Sequence, residues 1–179
     1  HAIEAYTSQH KKNVLSDGLA VQALRLLAGN LDRVLAQPDD LEARSAMLLG
    51  SMLAGMAFAN APVAAVHALA YPLGGHFHVP HGLSNALVLV PVLNFNRSAA
   101  QALYAELAAS VLPGQRFDDP AQACEAFIDF MTALVRRMPF AQRLAEVGVS
   151  EADLDRPIFV DHGVSSAPGA TVWAAIRSP

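Results

Sequence analysis

The chain has 179 residues, of which 53% are hydrophobic and 16% charged, a balance that excludes a disordered polymer and suits one domain with a sizeable core. A net charge of -4, a pI near 5.9 and no basic run beyond Lys11-Lys12 and Arg136-Arg137 argue against a nucleic-acid surface. The single cysteine, Cys124, allows no internal disulfide, fits a reducing cytoplasm and has no metal-ligand spacing around it, so it reads as core.

Taken in order, Ala2 to Thr7 completes a turn that carries His1, and Ser8 to Leu15 is a polar connector. Ser16-Asp17 is expected to cap a helix from Gly18 to Ala36, where Leu19, Leu24, Leu26, Leu27, Leu31, Val34 and Leu35 recur at helical spacing. Gln37-Pro38 ends it. Asp39-Asp40 caps the next helix, Leu41 to Asn60, with acidic residues where the dipole favours them. Met47 to Val66 is the most apolar run, but its Ala and Gly content, Asn60 and Pro62 read as a tightly packed internal helix rather than a membrane span.

The segment from Pro62 to Ala86 holds four of the seven histidines, His67, His76, His78 and His81. Ala64 to Leu73 predicts a buried helix that Gly74-Gly75 stops. His76 to Val79 is a connector, and Pro80 opens the next helix, where its missing N–H costs nothing. His67 and His81 thus come from two helices meeting at a corner. Paired neutral imidazoles suit a transition metal such as Zn, Fe, Ni or Cu, although a hydrogen-bonded core histidine is an equal reading at this point.

Beyond the corner, Pro91 is expected to kink or divide the helix begun at Pro80. Ser98 can cap an exposed helix Ala99 to Leu112 bearing Glu106. Pro113-Gly114 breaks it. Asp119-Pro120 opens an amphipathic helix to Met138, with Phe127, Phe130, Met131 and Leu134 on one side. A piece from Phe140 to Val147 ends at Gly148, and Ser150 to Asp153 caps another short helix. After Leu154 no helical period is sustained, and the adjacent Asp161 and His162 read as an exposed pair.

His1-AIEAYTS, followed by AVHALAYPLGGHFHVPHGLSNALVLVPVLNFN, resembles the C-terminal helical domain of the iron-containing alcohol dehydrogenases. The resemblance is strong to about Leu107 and weaker to Leu154. It implies an all-α, multi-helix bundle of the dehydroquinate synthase-like architecture over residues 1–154, with a divergent tail over 155–179. In that family one Asp and three His hold the metal, in a D-x-x-x-H-A-I-E pattern, an H-A-x-x-[HY]-P-[LI]-G segment and P-H-G. Matched by position, the histidines are His1, His67 and His81, and the Asp would precede residue 1. Tyr71 stands where the family often has a further histidine near the substrate. Its i, i+4 spacing from His67 places it on the same helix face, for substrate contact or proton relay. His76 and His78 match no ligand position and are expected to line the cleft or face solvent.

The resemblance further implies Fe(II) or Zn(II), NAD or NADP, a small alcohol or carbonyl substrate, and no membrane or nucleic-acid partner. No G-x-G-x-x-G or G-G-G-S phosphate loop occurs, so the chain is expected to be the metal-bearing half, with nucleotide bound by a domain outside it. Alone, it is expected to bind metal weakly, lack turnover and self-associate through an uncovered apolar face. A structural or interaction module derived from the same family is the alternative. The related polyol-phosphate dehydrogenases and dehydroquinate-type cyclases fit less well, because the corner lacks basic residues for a phosphate or carboxylate.

Overall fold

The computed structural model describes residues 1–62 and 64–155, and every regular element in that range is helical. Six α-helices follow one another: α1 (Ala2–Thr7), α2 (Val14–Ala36), α3 (Leu41–Asn60), α4 (Ala65–Phe77), α5 (His81–Val111) and α6 (Pro120–Arg136). Two turns of 3-10 helix close the described chain, Leu144–Val147 and Glu151–Asp155. The pair Asp161 and His162 and the tail after Leu154 fall outside the described residues, apart from Asp155 itself. By packing, the helices form two compact units, residues 1–62 with 100–127 and residues 64–99 with 128–155.

In the first unit α1, α2 and α3 pack together. Helix α2 begins earlier than its composition suggests, because Asn13 rather than Ser16-Asp17 caps it. The Asn13 side chain accepts from the N–H groups of Leu15 and Ser16, and Ser16 Oγ in turn accepts from the Asn13 N–H. Reciprocal bonds of this kind satisfy donors that a helix start otherwise leaves open. Helix α3 begins where expected, with Asp40 accepting from the Ala43 N–H at 3.0 Å. Its buried positions are small, Ala43, Gly50, Ala54 and Ala57, so the backbones of α2 and α3 approach closely. A Cβ on Gly50 would stand 2.9 Å from Leu27 Cγ. The larger apolar residues of α3 point outward: Leu41, Leu48, Leu49, Met52 and Met56 are exposed. The helix is therefore buried along its small-residue stripe only and is not the internal helix its apolarity suggests.

The remainder of this unit is supplied by the second part of α5 and the start of α6. Tyr104, Leu107, Ala108 and Val111 are buried, which corrects the expectation of an exposed helix here, and the Tyr104 and Phe127 rings stack 5.5 Å apart. Cys124 is buried, as its setting suggested.

The second unit is built on α4 and the first part of α5. Leu69, Leu73, Val88 and Val92 are at most 2% exposed and share a cluster with Val66, Val79, Leu87, Val149 and Leu154. Each such side chain contributes about 1.5–3 kcal/mol relative to exposure. That gain carries the backbone through two sets of helix breakers. Gly74-Gly75 does not stop α4, which continues to Phe77. The left-handed residue that ends it is His78, at φ 54, and the N–H groups of His78 and Val79 both reach the Leu73 carbonyl. This closure turns Val79 into the core. Pro91 does not divide α5, which runs unbroken from His81 to Val111. The missing N–H costs the helix one hydrogen bond, and the buried neighbours Leu87, Val88, Val92 and Leu93 outweigh it. Near the end of the described chain, the expected piece from Phe140 to Val147 is reduced to the 3-10 turn, which Gly148 closes at φ 84.

Candidate metal centre

His67 lies in the first turn of α4, among apolar neighbours and only 2% exposed. His81 is the first residue of α5, with Pro80 at the cap position just before it. The Pro80 carbonyl accepts from the Ser84 N–H at 2.9 Å, and Ser84 Oγ also bonds back to the carbonyls of Val79 and Pro80. This fixes the first turn of α5 against the end of α4. The two imidazoles come together as the corner predicts, with ring centroids 5.3 Å apart and planes inclined at 47°.

A third side chain completes this arrangement. The Asn85 amide nitrogen stands 3.2 Å from Nε2 of His67 and 3.2 Å from Nε2 of His81. Among the described residues the buried Asn85 Oδ1 has no hydrogen-bond partner. Sequence reasoning passed over Asn85. The signal was its spacing, one helical turn after His81 on the same face of α5. Two imidazoles brought this close, when neutral, suit a borderline divalent cation such as Fe(II) or Zn(II).

Tyr71 follows His67 by one turn, and its ring meets His67 edge-on at 6.3 Å. It is 53% exposed, so its hydroxyl is open to solvent on the side of the helix that His67 marks, and it is not a core tyrosine. His76 and His78 are both exposed, at the end of α4.

His1 belongs to the other unit. It stands at the N-cap position of α1, exposed, with its ring 4.7 Å from that of Phe58. Helix α1 is too short to hold a ligand steady alone. Within its unit it is tied down by Tyr6 and Lys12. The Tyr6 hydroxyl donates to Glu106 at 2.6 Å, while the Lys12 ammonium donates to the Tyr6 carbonyl, pairs with Asp17 and sits 3.8 Å over the Tyr6 ring. Burial, and then the Glu106 carboxylate, push the Tyr6 phenol well above its usual range, which keeps it protonated as a donor.

Comparison with known proteins converges on one family. Residues 1–176 match the family model described as "Fe-containing alcohol dehydrogenase family, C-terminal". The chain is 39% identical to long-chain-alcohol dehydrogenase 1 of Geobacillus thermodenitrificans (strain NG80-2), over 87% of this chain and 39% of the relative. It is 40% identical to the 1,3-propanediol dehydrogenase of Klebsiella pneumoniae, over 86% and 39% respectively. Among solved structures, a 1,3-propanediol oxidoreductase superposes with a TM-score of 0.88 at 34% identity, covering 99% of this chain and 48% of that one. An alcohol dehydrogenase from Oenococcus oeni gives 0.82 at 32% identity, over 90% and 42%. The chain thus spans about two fifths of the length of the curated relatives.

Proposed function

Because the chain belongs to the Fe-containing alcohol dehydrogenase family, as its C-terminal domain, we propose that it is the metal-bearing part of an NAD(P)-dependent alcohol dehydrogenase. The observation that carries the reading is the convergence of the His67 and His81 Nε2 atoms on one point. His67, His81 and, by its match to the H-A-I-E motif, His1 are the protein's histidine ligands. Fe(II) or Zn(II) is the cation such ligands take. When bound, the cation supplies Lewis acidity that lowers the pKa of an alcohol hydroxyl, and the nicotinamide takes up the hydride.

This chain's own residues bind and orient. His67, held in an apolar helix, keeps its ring in one place. His81, at the open end of α5, faces outward toward an incoming substrate. Tyr71, exposed beside His67, offers a hydroxyl for substrate contact or for passing a proton to water. The reaction class matches that named for the relatives, a long-chain-alcohol dehydrogenase and a 1,3-propanediol dehydrogenase. The nicotinamide is bound by a domain outside this chain. Cytoplasmic location accords with a lone free cysteine and with the finding that no single helix among the described residues is long and apolar enough to cross a membrane. The outward-facing Leu41, Leu48, Leu49 and Met52 support self-association.

The test is alcohol-dependent reduction of NAD or NADP by the protein that carries this domain. Activity should be lost on chelation and restored by Fe(II) or Zn(II). Turnover that persists in the chelator would overturn the reading.

A further inference from the structure

Resting on that reading, we infer that the hydrogen bond from Tyr6 to Glu106 is a clamp that sets His1 for the metal. Tyr6 and Glu106 are then positioning residues that act through α1. The argument begins with how little else holds this helix. Its six residues make less than two turns, too few to be stable without packing. His1 at the N-cap position makes no side-chain cap bond, and the residues that α1 buries are Ala2, Glu4, Ala5 and Tyr6. The two alanines offer little apolar area. Tyr6 is the largest side chain that α1 buries, so the helix depends on how that side chain is held.

It is held from two directions within its unit. At the tip, the hydroxyl donates at 2.6 Å to Glu106, which lies 100 positions away on the second part of α5. A hydrogen bond to a carboxylate is stronger than one between neutral groups. On the ring face, the Lys12 ammonium stands 3.8 Å from the centroid, donates to the Tyr6 carbonyl at 2.6 Å and pairs with Asp17 in the first turn of α2. A short helix held at one point can roll about its axis. Held at both, it cannot roll without breaking the bond to Glu106. By its motif His1 is what α1 contributes to the metal, so a roll of α1 would carry that imidazole out of place.

Two variants break the bond from opposite ends, Tyr6→Phe and Glu106→Ala, the second at an exposed position. Each is made alone and together with His1→Ala in the protein that carries this domain, and the metal-free forms are titrated with Co(II). Removing a group that orients a ligand typically weakens metal affinity about 10–100-fold, and a loss of about tenfold is expected in each variant. With His1 already replaced, neither change should weaken binding further, because nothing is left to position. Amide hydrogen exchange of the metal-free protein gives a second readout. The Ala5 N–H donates to the His1 carbonyl at 2.9 Å, and it should exchange at least about threefold faster in both variants. The amides of α2 and α3 should keep their native rates.

Co(II) affinity within about twofold of native in either variant would overturn the inference, as would an equal loss with and without His1. So would Ala5 exchange that does not change, or that rises together with exchange in α2 and α3. A native protein that takes no Co(II) would count against the metal reading instead, and exchange at Ala5 would still decide whether the pair holds α1. If Tyr6→Phe does not fold, Glu106→Ala carries both tests.

Discussion

The buried ring of His67 and the exposed ring of His81 lie 5.3 Å apart, one from the first turn of α4 and the other from the first residue of α5. Their meeting depends on how α4 ends. The chain leaves α4 through a left-handed residue, Val79 turns inward, and Pro80 starts α5 at once.

That ending makes His78 a test of the corner. At φ 54 an L-residue with a Cβ is strained by about 1–2 kcal/mol, whereas glycine is not. His78→Gly should raise stability by about 0.5 kcal/mol or more, and His78→Val should lower it by about 1–2 kcal/mol, both read from urea midpoints. Neither change should alter metal stoichiometry, because His78 is exposed and matches no ligand position. A loss of bound metal in His78→Gly would show that it is a ligand after all.

The contact between α2 and α3 predicts opposite results for two glycines of one helix. A Cβ at Gly50 would meet Leu27 Cγ at 2.9 Å and Leu26 Cβ at 3.2 Å, and these atoms lie close to the α2 backbone and cannot swing away. Gly50→Ala should therefore destabilise the chain by about 1–3 kcal/mol. At Gly55 nothing lies within 4 Å of the added carbon. Gly55→Ala should stabilise by up to about 1 kcal/mol through helix propensity. Equal responses in denaturant unfolding would contradict this packing.

Acid stability should depend on Asp40. The Ala43 N–H, and after it the Arg33 guanidinium, hold the Asp40 carboxyl below its usual range in the folded chain. The folded pKa is thus lower than the unfolded one. The resulting stability is present above the ordinary carboxylate pKa and is lost as pH falls through the folded value. Asp40→Asn keeps a cap acceptor and loses the charge. Its unfolding midpoint should lie below that of the native chain at neutral pH, begin to close on it below about pH 3.9, and draw level once the pH is below the folded value. A gap that persists at low pH would assign the effect to something other than ionisation.

Much of this was legible in the sequence, and the exceptions have physical causes. Asp40 marked the start of α3 because its side chain and the helix it caps are adjacent in sequence. The meeting of His67 and His81 was legible because the corner that joins them is local in sequence. Gly74-Gly75 misled, and Pro91 does not divide its helix, because a breaker's cost is local, whereas the gain that outweighs it comes from Leu73, Val79, Val88 and Val92 meeting in one core. Asn13 was passed over beside Ser16-Asp17, since both are good caps and only the reciprocal bonds decide between them. The outward face of α3 was misread for a different reason. Mean hydropathy does not show that α3 buries its small residues and exposes its large ones.

The central claim is that His67 and His81 supply the metal ligands of this chain. A Co(II) titration followed by visible absorption, on the native chain and on the His67→Ala, His81→Ala double variant, tests it most directly. The account predicts weak but saturable binding of one equivalent in the native chain, with absorption bands in the range of nitrogen coordination, and no such bands in the variant. Bands of equal strength in both chains, or none in either, would contradict it.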